Sequence, residues 1–236
     1  MSDWAAKRFW KEATVVVADG GFAVKLDGRG VKTPAKTPLI VPTQALADAI
    51  AAEWDAQGEK VDPLTMPVTR GANAALDKVA TQKDEVAEML AAYGDSDLLC
   101  YRAAGPVELI ARQRAAWDSL LDWAAIELSA PLMSHEGVMH VPQDQNSLDR
   151  LTAHVAEFDN FALAAFHDLV AMSGSLILAL AVTKGRLAAD EAWQLSRVDE
   201  TWQAEQWGED EDEQANVAIK HTAFVAAARF YAMSVT

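Results

Sequence analysis

Thr14–Ala18 (TVVVA), Asp19-Gly20-Gly21 and Phe22–Leu26 (FAVKL) decide how this chain begins to fold. The first run is β-branched and stiff at χ1, which suits a pleated strand. The Asp-Gly-Gly step after it supplies residues that accept positive φ, as a tight hairpin turn requires. The second run alternates apolar and polar residues with period two, so one face is committed to a core. Asp27-Gly28 then repeats the turn signal. Gly30–Thr33 and Leu39–Val41 read as further strands, and Pro34 and Pro38 confine that region to an edge or a bulge. The sequence therefore opens on a small antiparallel meander.

Working outward, the period changes after Pro42. Thr43 is placed to cap a helix, with Leu46, Ile50 and Trp54 following at four-residue intervals and Gly58 ending it. A hairpin sheet this small cannot bury its apolar face alone, so this helix is expected to cover it. Asp62-Pro63 and Met66-Pro67 read as a linker, and nearly everything after them as helix. Gly105-Pro106 opens a helix with Leu109, Gln113, Trp117, Leu120 and Ala124 on one face. Ser147 is read as the cap of another, carrying Leu148, Leu151, Val155 and Phe158. Leu169–Val182 reads as a core helix, Gly185 as a break, and Val217, Phe224, Ala228 and Tyr231 as the stripe of the last helix. The expected fold class is α+β. A small N-terminal antiparallel β domain with a covering helix (residues 1–62) is followed by a larger all-α domain (residues 63–236).

Composition bounds the function classes. With 51% hydrophobic residues in 236, a sizeable core is available. The formal net charge of −15 repels phosphate backbones and anionic headgroups, so neither nucleic acid binding nor membrane insertion is expected. The same charge either keeps the chain soluble or favours a basic partner. The lone Cys100 can form no internal disulfide, which fits a reducing compartment. Residues 1–9 contain no apolar run of the secretory kind.

No constellation for catalysis is legible. His135-Glu136 is followed by His140, one residue too far for two histidines to share a metal from one helical face, and Gly137, Pro131 and Pro142 argue against a helix there. Gly28-Arg29-Gly30 lacks the third glycine of a phosphate loop, and Pro34 stands where a helix would begin. Ser173-Gly174-Ser175 lacks the flanking glycines of a nucleophile elbow. His154, His167 and His221 read as core or surface histidines. The expectation is no catalytic residue, no metal, no cofactor and no enzymatic activity, although a pair of carboxylates brought together by folding is not visible in sequence.

The densest charge is Glu209-Asp210-Glu211-Asp212-Glu213, just after Trp202, Glu205, Trp207 and Gly208. It reads either as a solvated loop that stabilises the N-terminus of the last helix or as an acidic rim beside an aromatic patch. In the second reading tryptophan anchors apolar partner surface while carboxylates steer its basic residues.

Taken in order, Arg8-Phe9-Trp10-Lys11, Leu26-Asp27-Gly28-Arg29, Lys32-Thr33-Pro34, Pro38-Leu39, Glu53-Trp54-Asp55 with Gln57, Met66-Pro67 with Thr69, Asp77, Asp97–Arg102 (DLLCYR), Gln113 with Trp117-Asp118, Leu120-Leu121, Trp123 and Glu205–Gly208 (EQWG) resemble the ATP synthase F(1) assembly chaperones that act on the α subunit. The resemblance implies a β-rich N-terminal domain, an α-helical second domain, and an ATP-independent chaperone whose partner is the free, unassembled α subunit. Mitochondrial members carry a targeting sequence that residues 1–9 do not resemble, which suggests a bacterial cytoplasmic member or a mature form, the eukaryotic relatives working in the mitochondrial matrix. On that footing the expected contact residues are Glu205, Trp207 and Glu209, then Glu53, Trp54 and Arg70. Trp54 lies on the Leu46–Ile50 stripe, so it reads equally as core. Two alternatives stand beside this reading: a general acidic holdase or adaptor, and an uncharacterised hydrolase.

Overall fold

The computed structural model describes residues 7–208 and 211–235. They fall into two compact units: residues 1–83 with 159–165 and 229–236, and residues 84–158 with 166–228. The sequence reading places its boundary at residue 62. The first compact unit runs on to Lys83 and takes in two short segments from late in the chain.

In the first unit, β1 (Ala13–Ala18) pairs antiparallel with β2 (Gly21–Leu26), with Ala18 opposite Gly21 across the turn. β3 (Arg29–Gly30) pairs with the end of β2, and β4 (Ile40–Val41) with its beginning. The third strand is thus shorter than the expected Gly30–Thr33. Beyond it the Lys32–Pro38 bridge takes over, with Leu39 N–H donating to the Val31 carbonyl at 3.0 Å and Thr33 N–H to the Thr37 carbonyl at 2.9 Å, while the two prolines withhold ladder donors. Gly21 is required where β4 crosses: its φ is +145°, and a Cβ there would lie 2.2 Å from the Val41 carbonyl oxygen.

α1 (Gln44–Asp55) covers the sheet with Leu46, Ala47, Ile50 and Ala51 buried. Thr43 caps it as expected, its hydroxyl accepting from Leu46 N–H while donating to the Met233 carbonyl. α2 (Pro67–Asp77) closes the unit. A Cβ on Gly71 would lie 2.8 Å from the Phe230 ring, so the helix surface is flat there to admit the aromatic. The core joins Trp10, Val24, Leu26, Leu39, Ile50 and Phe230.

The second unit is helical: α3 (Lys83–Ala91, of which Lys83 belongs to the first unit), α4 (Val107–Glu127), α5 (Gln145–Ala156), most of α6 (Asn160–Ser173), α7 (Leu176–Thr183), α8 (Ala189–Leu195), α9 (Val198–Trp207) and all but the end of α10 (Glu211–Val235). A two-residue parallel pair, β5 (Tyr101–Arg102) with β6 (His135–Glu136), ties the loop after α4 to the segment before it. α4 presents the expected face, with Gln113, Trp117, Leu120 and Ala124 buried.

Two sequence expectations change. The apolar run 169–182 is two helices rather than one, broken where Gly174 turns to φ +68° and Ser175 caps α7. Ser147 is not the cap of α5: Asp144 accepts from Asn146 and Ser147 N–H, while the Ser147 hydroxyl, buried one turn inside, donates to the Pro131 carbonyl. Asp and Ser offer equivalent capping chemistry at that spacing, and the earlier residue wins.

The break between α6 and α7 is held by a buried carboxylate. Asp97 accepts from Leu99 N–H at 3.0 Å, the Ser175 hydroxyl at 2.8 Å and Ile177 N–H at 3.0 Å. Ser175 in turn accepts from Leu178 N–H at 3.0 Å. One side chain thus caps the start of a short 3-10 turn at 98–100 and supplies acceptors to the N-terminus of α7, whose residues 176–181 are all buried. Burial pushes the Asp97 carboxyl up to about 6, against the opposing hydrogen bonds from Ile177, Leu99 and Ser175.

Candidate functional site

The segment Trp202–Trp207 sits on α9, which turns one side to α4 and the other to the start of α10. The α4 side is zipped by polar contacts. Arg112 donates to both Glu205 oxygens at 2.8 Å and its guanidinium lies 5.0 Å from the Trp202 ring. Gln113 Nε2 donates to Asp199 at 2.7 Å, and Trp117 Nε1 to the Leu195 carbonyl at 2.8 Å. The bidentate pairing with Arg112 holds the Glu205 carboxyl below its usual range.

The other side of α9 is open. A groove of about 940 Å³ runs between α9 and the first turns of α10, all within the second unit. Trp193, Val198 and Val217 give it an apolar floor, and Glu205, Trp207 and Glu213 lie along its rim. Arg197 reaches across it, 2.9 Å from Glu200, 3.8 Å from Glu213 and 5.9 Å from the Trp193 ring. Trp207 is 80% exposed, and Ile219 on α10 is exposed as well. A tryptophan in water at the end of a helix contributes nothing to a core. Trp207 lies at the lip of a groove with an apolar floor.

Of the expected contact residues, Glu205 and Trp207 are brought together on this groove. Glu209 lies outside the described residues. Glu53, Trp54 and Arg70 belong to the first unit. Glu53 spans a helix junction, its oxygens accepting from Val68 N–H, Thr69 N–H and the Thr69 hydroxyl, each at 2.7 Å. It therefore satisfies donors at the N-terminus of α2. Replacing Glu53 with Ala is expected to lower the unfolding free energy by about 2 kcal/mol, read by urea denaturation, because buried amide donors lose their acceptor. Trp54 is half-buried, edge-on to Trp10 at 5.1 Å, and packs against the core. Arg70 is exposed on α2.

Sequence reasoning missed Arg112 and Arg197. Neither carries a local signal, since each meets its partners only through helix packing. The histidines do not converge: His140 Nε2 is 3.1 Å from Asp95, His221 Nε2 is 2.8 Å from Asp190, and no group of three metal-ligating side chains exists among the described residues. Among the described residues no helix is long and apolar enough to cross a membrane.

The family model described as ATP12 chaperone protein matches residues 7–125, just over half of the 236-residue chain. The chain belongs to the ATP12 chaperone family. The fold agrees across nearly the whole length. The crystal structure of Atp12 from Paracoccus denitrificans superimposes with a TM-score of 0.95 at 51% identity, covering 97% of this chain and 98% of that one. The Atu1473 protein of Agrobacterium tumefaciens, described as a chaperone, gives 0.92 at 44% identity, covering 96% and 85%. The mitochondrial protein atp12 of Schizosaccharomyces pombe is 28% identical over 218 residues, 87% of this chain and 75% of that protein. These bear out the α+β architecture and the chaperone family expected from the sequence. The α9–α10 groove with its exposed Trp207 is thus a feature of an ATP12-family chaperone.

Proposed function

We propose that the protein is an ATP-independent assembly chaperone of the ATP synthase, which binds the free α subunit of the F(1) sector and prevents its aggregation before the ring is built. The observation that carries the reading is an ATP12-family fold with an open, apolar-floored groove whose lip is a solvent-exposed tryptophan. A subunit destined for an obligate ring exposes large apolar interfaces when alone, and these must be covered without covalent chemistry. On this reading Glu205, Trp207 and Glu209 form the contact edge and Arg70 is a secondary contact, while Glu53 and Trp54 act by holding the fold. The acidic surface, with a net charge of −15, steers basic client residues toward the groove. The bacterial relatives support a cytoplasmic site of action.

The test is light scattering of free α subunit diluted from denaturant, without nucleotide. The expected result is suppression at near-equimolar chaperone and a mixed species on gel filtration. Precipitation as fast as in buffer, with no co-elution, would overturn the proposal. Equal protection of an unrelated aggregating protein would replace it with a general holdase.

A further inference from the structure

Apolar exposure in the second unit is not confined to the groove. The loop between α4 and α5 turns Val138 and Met139 outward at 89% and 78% exposure, with Met133 and Val141 open beside them. This loop is not slack. The Gln143 side chain closes it as a strand would, accepting from Met133 N–H and donating to the Met133 carbonyl, both at 2.8 Å. Gln143 N–H is held by Asp95 at 2.7 Å, and Gly137 N–H by the Arg102 carbonyl at 2.9 Å. The Ser147 hydroxyl fixes the Pro131 carbonyl at 2.7 Å. These contacts pin both ends and the middle of the loop, and its apolar side chains face water. Preorganisation of this kind lowers the ordering cost of binding, and unbranched methionine adapts to irregular partner surface.

Charge says what kind of surface fits. From Glu127 to Asp149 the sequence contains no lysine or arginine, but it carries Glu127, Glu136, Asp144 and Asp149. Its only potential cations are His135 and His140, the latter paired with Asp95, so an apolar projection flanked by these carboxylates disfavours anionic headgroups and complements an apolar strip edged with cations. We infer that the loop at residues 131–142 is a second client-contact element, separate from the α9–α10 groove, which seats on an apolar strip bordered by lysine or arginine on the same client subunit. The inference rests on the client assignment made above.

The experiment combines Met133→Ser, Val138→Ser and Met139→Ser in the full chain. Its melting temperature is compared with wild type, and both proteins are titrated into aggregating α subunit. The wild-type arm is read first: failure to protect overturns the client assignment and this inference with it. If wild type protects, the triple variant is expected to need at least about tenfold more protein for half-suppression, the loss of one hot-spot cluster, with its melting temperature unchanged. Equal protection by the variant would overturn the inference alone. A photo-crosslinking phenylalanine analogue at position 138 decides the matter should the triple variant melt early: a covalent adduct with the α subunit supports the inference, and none overturns it. Binding of wild-type protein to phosphatidylserine vesicles, or a dimer lost on triple substitution, would assign the loop to a membrane or a second copy and overturn it too.

Discussion

Replacing Asp97 with Ala is expected to cost about 3 kcal/mol of unfolding free energy, the largest single-residue stability effect outside the apolar core. The substitution strips acceptors from Leu99 N–H, Ile177 N–H and the Ser175 hydroxyl, all buried where no water can replace the carboxylate. Chemical denaturation at pH 7.5 checks it. A loss under 1 kcal/mol would mean that the α6–α7 break is held by packing alone. The same residue sets a pH dependence. Its folded carboxyl titrates at about 6, above its ordinary value of 3.8. The folded state therefore binds the proton more tightly, and the stability linked to this group is fully present below pH 3.8 and is lost as pH rises through 6. Asp97→Asn cannot titrate. The stability of wild type relative to that variant is expected to increase by about 1 kcal/mol between pH 7.5 and pH 5. A gap that narrows over the same interval would show that the hydrogen bonds outweigh burial at this carboxylate.

The second large effect is on binding. Trp207→Ala is expected to weaken the complex with the free α subunit by about 2 kcal/mol, some thirtyfold in Kd, and to leave the melting temperature within a degree or so. The stability half follows from the 80% exposure of the indole at the end of α9, where no core contact is lost. The binding half follows from its place on the groove rim above Trp193 and Val198. Biolayer interferometry with immobilised α subunit separates the two. An unchanged Kd would remove Trp207 from the contact edge.

The residues that made the chain recognisable are mostly the ones that hold its turns. Asp97 caps two elements, Glu53 fixes the start of α2, and Asp77 accepts from the Thr33 hydroxyl at 2.6 Å and from Ala35 N–H at 3.0 Å. Arg8 donates to four carbonyls, those of Trp10, Lys11, Asp55 and Gln57. Each is a polar side chain serving backbone groups distant in sequence, so each is exacting about type and silent about function. Local signals were legible for a physical reason. Gly20, Asp27 and Gly28 take positive φ at the hairpin turns, and Thr43 stands one residue before a helical period. The α6–α7 break was hidden because the sequence is apolar on both sides of it, leaving only Gly174 and Ser175 to mark it. At the site, Glu205 and Trp207 could be singled out because they precede a charge run and belong to the Glu205–Gly208 stretch that carries the family resemblance. Arg112, 93 residues from Glu205, could not, since only packing of α4 on α9 creates the pair. The outward loop at 131–142 was readable only as non-helical: Gly137 and its prolines exclude a helix, but nothing in the sequence says that Val138 and Met139 face water rather than a core.

Hydrogen exchange of the chain alone and in complex with free α subunit, followed by mass spectrometry, bears most directly on where a client is held. Slowed exchange is predicted across residues 198–223, the peptides of α9 and the first half of α10, while the β1–β2 hairpin is unchanged. Unaltered exchange at 198–223 alongside protection confined to the hairpin would contradict the account.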